Sequence, residues 1–178
     1  GAPIAPIYHK YLFKKYNVCL PSCILNIGGI SNLTYLDDKS FLGFDCGPGN
    51  ALLDDFIRTK ISLPYDKNGD YASKGKVYED LVDIFFEHNF FLMPPPKTLD
   101  RHSFDDFFIK FLKMNLSLED GMSTLSHITV KSISKSIKNL SKKIKSIIIC
   151  GGGYKNSFLI KKLKEDLNVK ILNSDLKH

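Results

Sequence analysis

The sequence predicts an α/β protein with a mixed β-sheet and flanking helices, and three observations support this fold class. Apolar runs at residues 24–27, 33–36 and 41–44 are separated by short turns, which is typical of antiparallel strands. Longer stretches downstream repeat apolar residues every three or four positions, as helices do. The chain closes with a strand, three glycines, a helix and a strand, and such a βαβ unit requires parallel strands.

The predicted elements follow one another along the chain. The antiparallel unit turns at Asp37-Asp38-Lys39-Ser40, because aspartate and serine favour turns. The sequence then predicts helices at 50–60, 77–91, 103–114 and 118–142. Pro94-Pro95-Pro96 breaks the helical pattern between the second and the third. The closing unit is predicted as strand 146–150, helix 156–167 and strand 169–172.

Composition and charge indicate a globular domain that does not bind nucleic acid. With 178 residues, 43% of them hydrophobic, the chain can bury the core of one domain or slightly more. Its formal net charge is +6, but only Arg58 and Arg101 among 25 cationic side chains are arginines. Since arginine is best suited to reading bases and phosphates, we expect no nucleic-acid partner. On the fourth helix, one face carries a lysine row that we interpret as a solvated surface: Lys131, Lys135, Lys138 and Lys142.

The four cysteines show no Cys-x-x-Cys spacing, so we expect free thiols and a reducing, cytoplasmic location. The five histidines have no regular spacing to cysteines, and we therefore predict no metal site built from protein ligands. No apolar stretch reaches the length of a membrane span, so we expect no membrane partner. The sequence does not fix the oligomeric state, and a homodimer stays open.

Two glycine-rich segments, residues 26–32 and 43–50, carry the main functional signal. The first ends an apolar run at Gly28-Gly29, where the missing Cβ atoms let another group approach the backbone. The second delivers Asp45 at a strand end, just before a Gly-Pro-Gly turn into a helix. A carboxylate beside a phosphate-binding turn suits phosphoryl transfer.

Each of these residues also has a structural alternative. Gly28-Gly29 is compatible with a β-bulge or a tight hairpin corner without a ligand, and Asp45 with a turn or helix cap, although Asn50 is placed to cap that helix itself. The pair Asp54-Asp55 is interpreted as a complement to the helix dipole. For Asp66, in a turn, the sequence leaves open a structural role or a contact with a sugar hydroxyl.

The segment Gly151-Gly152-Gly153 follows a strand, as the opening of a dinucleotide-binding fingerprint does, and Asp175 stands where that fold places its ribose-binding acid. The third glycine of the fingerprint is replaced by Asn156, which disfavours that hypothesis. A triple glycine also allows a flat adenosine to lie against the backbone.

Six motifs taken together resemble the anhydro-N-acetylmuramic acid kinases, in the order of that family and over nearly the whole chain. They are residues 26–32, 43–50, 65–69, 72–75, 96–101 and 150–156. The resemblance implies a fold of the actin, Hsp70 and sugar-kinase type, in which two ribonuclease-H-like lobes hold ATP between them. Residues 1–23 would end the first lobe, and residues 24–178 would form most of the second.

The resemblance also implies roles for individual residues. Asp45 matches the catalytic base, which activates water to open the 1,6-anhydro sugar while O6 receives the γ-phosphoryl group of ATP, with Mg²⁺ bridging the phosphates. Asn50 and Arg101 are assigned to the amino-sugar substrate, and we hypothesise that Arg101 binds the lactyl carboxylate of that sugar. The nucleotide would contact the two glycine segments and two asparagines: Gly28, Gly29, Asn32, Gly151, Gly152, Gly153 and Asn156.

The family's opening Gly-Thr-Ser-Leu-Asp-Gly loop and its closing Gly-Asp-x-x-Glu motif are missing from this sequence. We therefore expect the chain alone to be inactive. Asp100-Arg101-His102 stands where the family more often has Gly-Arg-Glu. Two alternatives to a kinase remain at this point: a non-catalytic nucleotide-binding module of the same fold, and a dinucleotide-binding domain.

Overall fold

A computed structural model describes residues 19–173, which form a five-stranded mixed sheet with helices. Most of the segment predicted to end a first lobe, and Asp175, lie outside these residues. The strands are β1 (Ser22–Ile27), β2 (Ile30–Leu36), β3 (Phe41–Pro48), β4 (Ser146–Cys150) and β5 (Lys170–Asn173).

The sheet has the order β3-β2-β1-β4-β5. The pairs β1–β2 and β2–β3 are antiparallel, whereas β1–β4 and β4–β5 are parallel. This topology confirms the predicted mixed sheet and is that of a ribonuclease-H-like lobe. The predicted hairpin and closing βαβ unit both form. However, β1 and β2 begin two and three residues earlier than predicted, and β3 ends four residues later, so Asp45 lies inside β3 rather than at its end.

Five helices connect or flank the strands: α1 (Ala51–Ile61), α2 (Glu79–Phe86), α3 (Asp105–Lys113), α4 (Leu118–Lys138) and α5 (Ser157–Leu167). The second and fourth predicted helices were too long. His88 adopts an extended backbone conformation that ends α2, and a short 3₁₀ turn, Asn89–Leu92, follows. At the end of α4, the N–H of Asn139 still bonds back to the helix, and the chain then turns toward β4.

Two apolar cores hold these layers together. The first lies between one face of the sheet and helices α4 and α5, and includes Leu25, Phe44 and Ile149. The second joins α1, α2, α3 and part of α4 through a group of packed phenylalanines, among them Phe56, Phe85 and Phe111. Because α4 contributes to both cores, it fixes the helical layer against the sheet.

The lysine row is exposed, as predicted, but most of it is not merely hydrated. Three of its members form ion pairs: Lys131 with Asp83 at 3.4 Å, Lys138 with Asp166 at 3.0 Å, and Lys142 with Asp37 at 3.0 Å. The ammonium groups of Lys131 and Lys135 also lie over the ring of Phe86. The row therefore ties helices to their neighbours.

Within residues 19–173, no helix combines the length and apolar character needed to cross a membrane. The cysteines are free thiols: Cys19, Cys23, Cys46 and Cys150.

Candidate active site

A row of polar side chains crosses the sheet near the glycine turns. Asp45 of β3 lies opposite Asn32 of β2, Asn32 lies opposite Asn26 of β1, and Asn26 lies opposite Cys150 of β4. Directly paired residues point to the same face of a sheet, so these four side chains form one line. Each is half-buried, and the face they share is opposite to the α4–α5 core. The row thus runs from Asp45 to the Gly151 turn.

A β-bulge follows Asp45, and strand alternation turns its side chain away from the core that contains Phe44. The register shifts between Ser31 and Asn32, and it leaves Cys46 as the extra residue of β3. Cys46 is fully buried in the α4–α5 core, so Asp45 points to the opposite face. Burial raises the pKa of the Cys46 thiol to about 12, which keeps it protonated and excludes it as a thiolate nucleophile.

The carboxylate of Asp45 is held by a distant segment of the chain. Its Oδ2 accepts the backbone N–H of Leu99 at 2.7 Å, and its own N–H bonds the Lys97 carbonyl at 2.9 Å. Burial raises the pKa of Asp45 above its ordinary value, and the hydrogen bond from Leu99 opposes that rise. Among the described residues, Oδ1 has no hydrogen-bond donor. One oxygen therefore fixes the side chain and the other remains available as a proton acceptor.

The Gly28-Gly29 turn supports the start of α1. The Gly28 carbonyl accepts the N–H of Asn50 at 2.7 Å, and the Gly29 carbonyl accepts those of Gly49 and Ala51 at 2.9 and 3.1 Å. Asn50 is the N-cap residue by position, but the prediction that its side chain caps α1 was wrong. Its amide nitrogen instead donates to the Ile27 carbonyl at 3.3 Å, a buried acceptor at the end of β1.

The glycines around this site divide into two groups. A Cβ at Gly49 would overlap the Gly28 carbonyl, and one at Gly153 would overlap Ile27, so internal packing requires glycine at both positions. At Gly151, φ is +86°, which also favours glycine. In contrast, a Cβ at Gly28, Gly29 or Gly152 would meet no atom closer than 3.5 Å. Those three positions therefore leave open backbone surface that a ligand can contact.

Two clefts open on either side of the first turn of α1. One, of about 450 Å³, is lined by Asn50, Asp54, Gly152, Gly153 and Asn156, together with Leu53 and residues 65–68 and 155. The other, of about 390 Å³, is lined by Gly29, Ile30, Ala51, Asp54, Arg58 and Arg101. Asp54 lines both clefts. The structure thus groups Gly152 and Gly153 with Asn50 and Asn156 in one cleft, and Gly29 with Arg101 in the other; Gly151 lines neither.

Asp45 lines neither of these clefts, although its row ends at the Gly151 turn. A Cβ at Gly151 would overlap Oδ1 of Asn26, the third member of the row. Asn32 lies in the row between Asn26 and Asp45, rather than in either cleft. Asn156 lines the larger cleft and also caps α5, since its Oδ1 accepts the N–H of Leu159 at 3.0 Å.

The structure shows what Asp66 and the pair Asp54-Asp55 contact. Asp66 has a structural role, because its carboxylate oxygens accept the N–H groups of Tyr71 and Ala72 at 3.1 and 3.0 Å. Asp54 lies in the first turn of α1, as the dipole interpretation requires, but Asp55 instead pairs with Arg58 at 2.9 Å and Arg101 at 3.6 Å. Burial raises the pKa of Asp54 to about 6, against the opposing influence of Arg58.

The sequence did not predict that the backbone of Lys97 and Leu99 binds Asp45. Lys97 anchors this segment, since its ammonium donates to the Phe90 carbonyl at 3.0 Å and lies 4.2 Å from the centroid of the Phe90 ring. A backbone N–H has no residue-type signature, so no motif pointed to Leu99. The role of Asp54 as a residue common to both clefts was also missed, although its place four residues after Asn50 was a usable signal.

Sequence comparison identifies the relatives of this chain. The pattern of the anhydro-N-acetylmuramic acid kinase family matches residues 1–176. Proteins named anhydro-N-acetylmuramic acid kinase from Zymomonas mobilis and Azorhizobium caulinodans are 40% and 41% identical over 173 and 174 residues. These alignments cover 96% and 97% of this chain but 46% and 47% of the relatives, so the chain spans about half the length of the curated relatives it matches.

Solved structures show the same fold at low identity. The activator of 2-hydroxyisocaproyl-CoA dehydratase from Clostridium difficile, solved with bound ADPNP, matches 89% of this chain and 55% of its own, with a TM-score of 0.54 and 16% identity. A xyloylose kinase from Brucella ovis matches 90% of this chain and 37% of its own, with a TM-score of 0.59 and 10% identity. These likenesses confirm the actin, Hsp70 and sugar-kinase fold, and the sequence relatives show that this chain belongs to the anhydro-N-acetylmuramic acid kinase family.

Proposed function

We propose that the protein, in a form as long as its relatives, is an ATP-dependent kinase that opens 1,6-anhydro-N-acetylmuramic acid and yields N-acetylmuramic acid 6-phosphate for cell-wall recycling. The observation that carries this proposal is Asp45. It is a half-buried carboxylate, fixed through one oxygen by Leu99 and free at the other, in a polar row that ends at a glycine turn. The family relatives named for this activity support it.

Asp45 acts as the general base. Its free oxygen accepts a proton from a water molecule whose oxygen attacks the anomeric carbon, and the bond between that carbon and O6 breaks. O6 then takes the γ-phosphoryl group, and ADP leaves. A carboxylate with a raised pKa is a stronger base than an ordinary one, which suits this step.

The nucleotide is assigned to the glycine turns. Gly152 offers open backbone in the larger cleft, where Gly153 and Asn156 complete an adenosine surface. Gly28 and Gly29 offer open backbone beside the start of α1, where the positive end of the helix dipole favours phosphate oxygens. Asn32, next to Asp45 in the polar row, is assigned to the same phosphates.

The substrate is assigned to Asn50 and Arg101, which line the two clefts beside α1. Mg²⁺ would supply charge neutralisation on the phosphates. In the part of the chain that the structure describes, no three histidine, cysteine, aspartate or glutamate side chains are grouped as a metal site. The phosphate oxygens would therefore hold the ion, with Asp54 as the carboxylate that lines both clefts.

We further propose that the protein works in the cytoplasm, takes a small amino sugar rather than nucleic acid as its partner, and is inactive as this chain alone. The possible homodimer remains a question for measurement of mass in solution. A non-catalytic nucleotide-binding module is the alternative, and the relatives do not decide between them because the chain spans about half their length.

The test compares two proteins, this chain alone and the polypeptide extended to the length of its relatives. Each is incubated with ATP, Mg²⁺ and 1,6-anhydro-N-acetylmuramic acid, and the 6-phosphate product is measured by mass spectrometry. We expect product from the family-length form only. If that form binds ATP but makes no product, the non-catalytic alternative is correct, and product from the chain alone would contradict its expected inactivity.

A further inference from the structure

The only two arginines in the sequence lie together in the structure. Arg58, on α1, donates from Nη1 to Oδ1 of Asp55 at 2.9 Å, and Nη2 of Arg101 lies 3.6 Å from the same oxygen. Both arginines line the cleft of about 390 Å³ that Gly29 also lines. Their side chains are 57% and 65% exposed, so most of their N–H donors face solvent or a ligand rather than the protein.

The segment that delivers Arg101 is the one that holds Asp45. Leu99 donates its N–H to the Asp45 carboxylate, and Arg101 follows two residues later. Two residues of chain span at most about 7 Å, so the start of the Arg101 side chain is close to the proposed base. The two-arginine cleft is thus lined by Gly29 and by Arg101, which lies on the segment that holds Asp45.

We infer that Arg58 and Arg101 form a clamp for the carboxylate of an acidic sugar, with Asp55 as the positioning residue that holds both guanidinium groups. This inference rests on the proposed function and names the part of the site that reads the acidic group of the substrate. A planar guanidinium matches a carboxylate through two parallel hydrogen bonds, which a lysine ammonium cannot do. In a chain with so few arginines, two at one cleft fit that requirement.

Asp54, the carboxylate that lines the cleft, complements the hydroxyl and amide groups of an acidic amino sugar. The described residues offer no hydrogen-bond donor to Asp54, and its side chain accepts only. A muramic acid derivative carries a carboxylate that needs donors, and also hydroxyl and amide N–H groups that need acceptors. The cleft offers both kinds of group, whereas a phosphate beside Asp54 would need a cation between the two negative charges.

The experiment measures equilibrium binding to the family-length protein by calorimetry, with ADP present. The probes are 1,6-anhydro-N-acetylmuramic acid and its lactamide, which has nearly the same shape but no negative charge. Wild type is compared with Arg58→Lys, Arg101→Lys and Asp55→Asn. The matched control is Lys110→Met, which removes a positive charge from an exposed position on α3.

We expect wild type to bind the acid at least about tenfold more tightly than the lactamide, because hydrogen bonds to a charged carboxylate are stronger than those to a neutral amide. Each arginine variant should lose most of that preference while binding the lactamide nearly as wild type does. Asp55→Asn should lose it as well, because both arginines are then free to move. Lys110→Met should keep it.

Equal binding of the two probes by wild type would overturn the clamp. So would arginine variants that weaken both probes to the same degree, since that indicates a contact with another part of the ligand. Tighter binding of the acid by Asp55→Asn would show that Asp55 competes with the ligand instead of positioning the arginines. The proposed function is tested separately, by the product assay. A protein that binds the acid more tightly than the lactamide but never forms product has the clamp and is not a kinase.

Discussion

Two aspartates at the ends of the β2–β3 hairpin have opposite surroundings. Asp37, in the turn, accepts the Tyr35 hydroxyl, the N–H groups of Lys39 and Ser40, and the Ser40 hydroxyl, and it also pairs with Lys142. Asp45, near the far end, accepts one backbone N–H from Leu99.

The pKa values follow this difference. The hydroxyl of Ser40 and the N–H of Lys39 hold the pKa of Asp37 well below its usual range, because they stabilise the charged form. Burial raises the pKa of Asp45, with a single donor to oppose it. A carboxylate whose oxygens are saturated by donors serves the fold, whereas one with an unused oxygen is able to take a proton. The predictions below test this distinction, from the largest expected effect to the smallest.

Replacement of the open carboxylate should affect catalysis most. We expect Asp45→Asn in the family-length protein to lower kcat by at least about a hundredfold, because general-base catalysis typically contributes 10²–10⁴. Nucleotide affinity should change little, since the amide still accepts the Leu99 N–H. Steady-state kinetics and ATP titration measure the two quantities. Asp38→Asn, at an exposed turn position, is the control, and near-normal turnover by Asp45→Asn would remove Asp45 from the mechanism.

Replacement of the saturated carboxylate should instead affect the fold. Asp37→Asn loses the charge that Lys142 pairs with and weakens the bonds to the turn, so the midpoint of thermal unfolding should fall by about 5 °C. Turnover at room temperature should be unchanged. The same Asp38→Asn protein again serves as control in calorimetry. If Asp37→Asn lost turnover while its unfolding midpoint stayed unchanged, Asp37 would have a catalytic role and the contrast with Asp45 would be wrong.

The hairpin end that carries Asp45 also carries the open glycines, and Gly29 tests whether they contact a ligand. Since no atom lies within 3.5 Å of a Cβ there, Gly29→Val should fold normally. We expect it to weaken ATP binding about tenfold or more by crowding the phosphates. Gly43→Val, at an exposed position on β3 with comparable space, should bind ATP as wild type does. Unchanged affinity in Gly29→Val would mean that the turn is only structural.

The smallest effect concerns pH and Asp54. Its pKa is raised to about 6 in the folded protein, so the folded state binds the proton more tightly than the unfolded state does. The stability linked to Asp54 is therefore fully present below about pH 4 and is lost as the pH rises through about 6. We expect Asp54→Asn to gain less than about 1 kcal/mol at neutral pH, because the carboxyl is partly solvated. This gain should vanish at about pH 4, and a gain of equal size at both pH values in denaturant titrations would contradict it.

The parts that the sequence predicted are those in which one short segment carries the whole signal. The hairpin strands, the Gly28-Gly29 turn and the closing βαβ unit depend on local alternation and glycine placement, and each formed as expected. Asn50 shows the limit of local reasoning. The position of Asn50 at the start of α1 was predicted. Its side-chain amide, however, donates to the Ile27 carbonyl and does not cap the helix.

Contacts between distant segments were not predictable in the same way. The bond from Leu99 to Asp45 joins residues 54 positions apart and uses a backbone group that every residue except proline carries. The two arginines were noted for their rarity, yet nothing in the sequence placed them on one aspartate. Both arrangements arise only when the 97–101 segment packs across the end of β3 and beside α1.

The dependence of Asp45 on residues 97 and 99 bears on how the protein is made. A ribosome releases the hairpin tens of residues before it releases the Lys97–Leu99 segment, and β4, which pairs with β1, emerges later still. A nascent chain therefore displays the glycine-rich signature of the family before anything orients its acid. A translation product that stopped ahead of residue 97 would keep four of the six family motifs, at residues 26–32, 43–50, 65–69 and 72–75, but would lack the segment that orients Asp45.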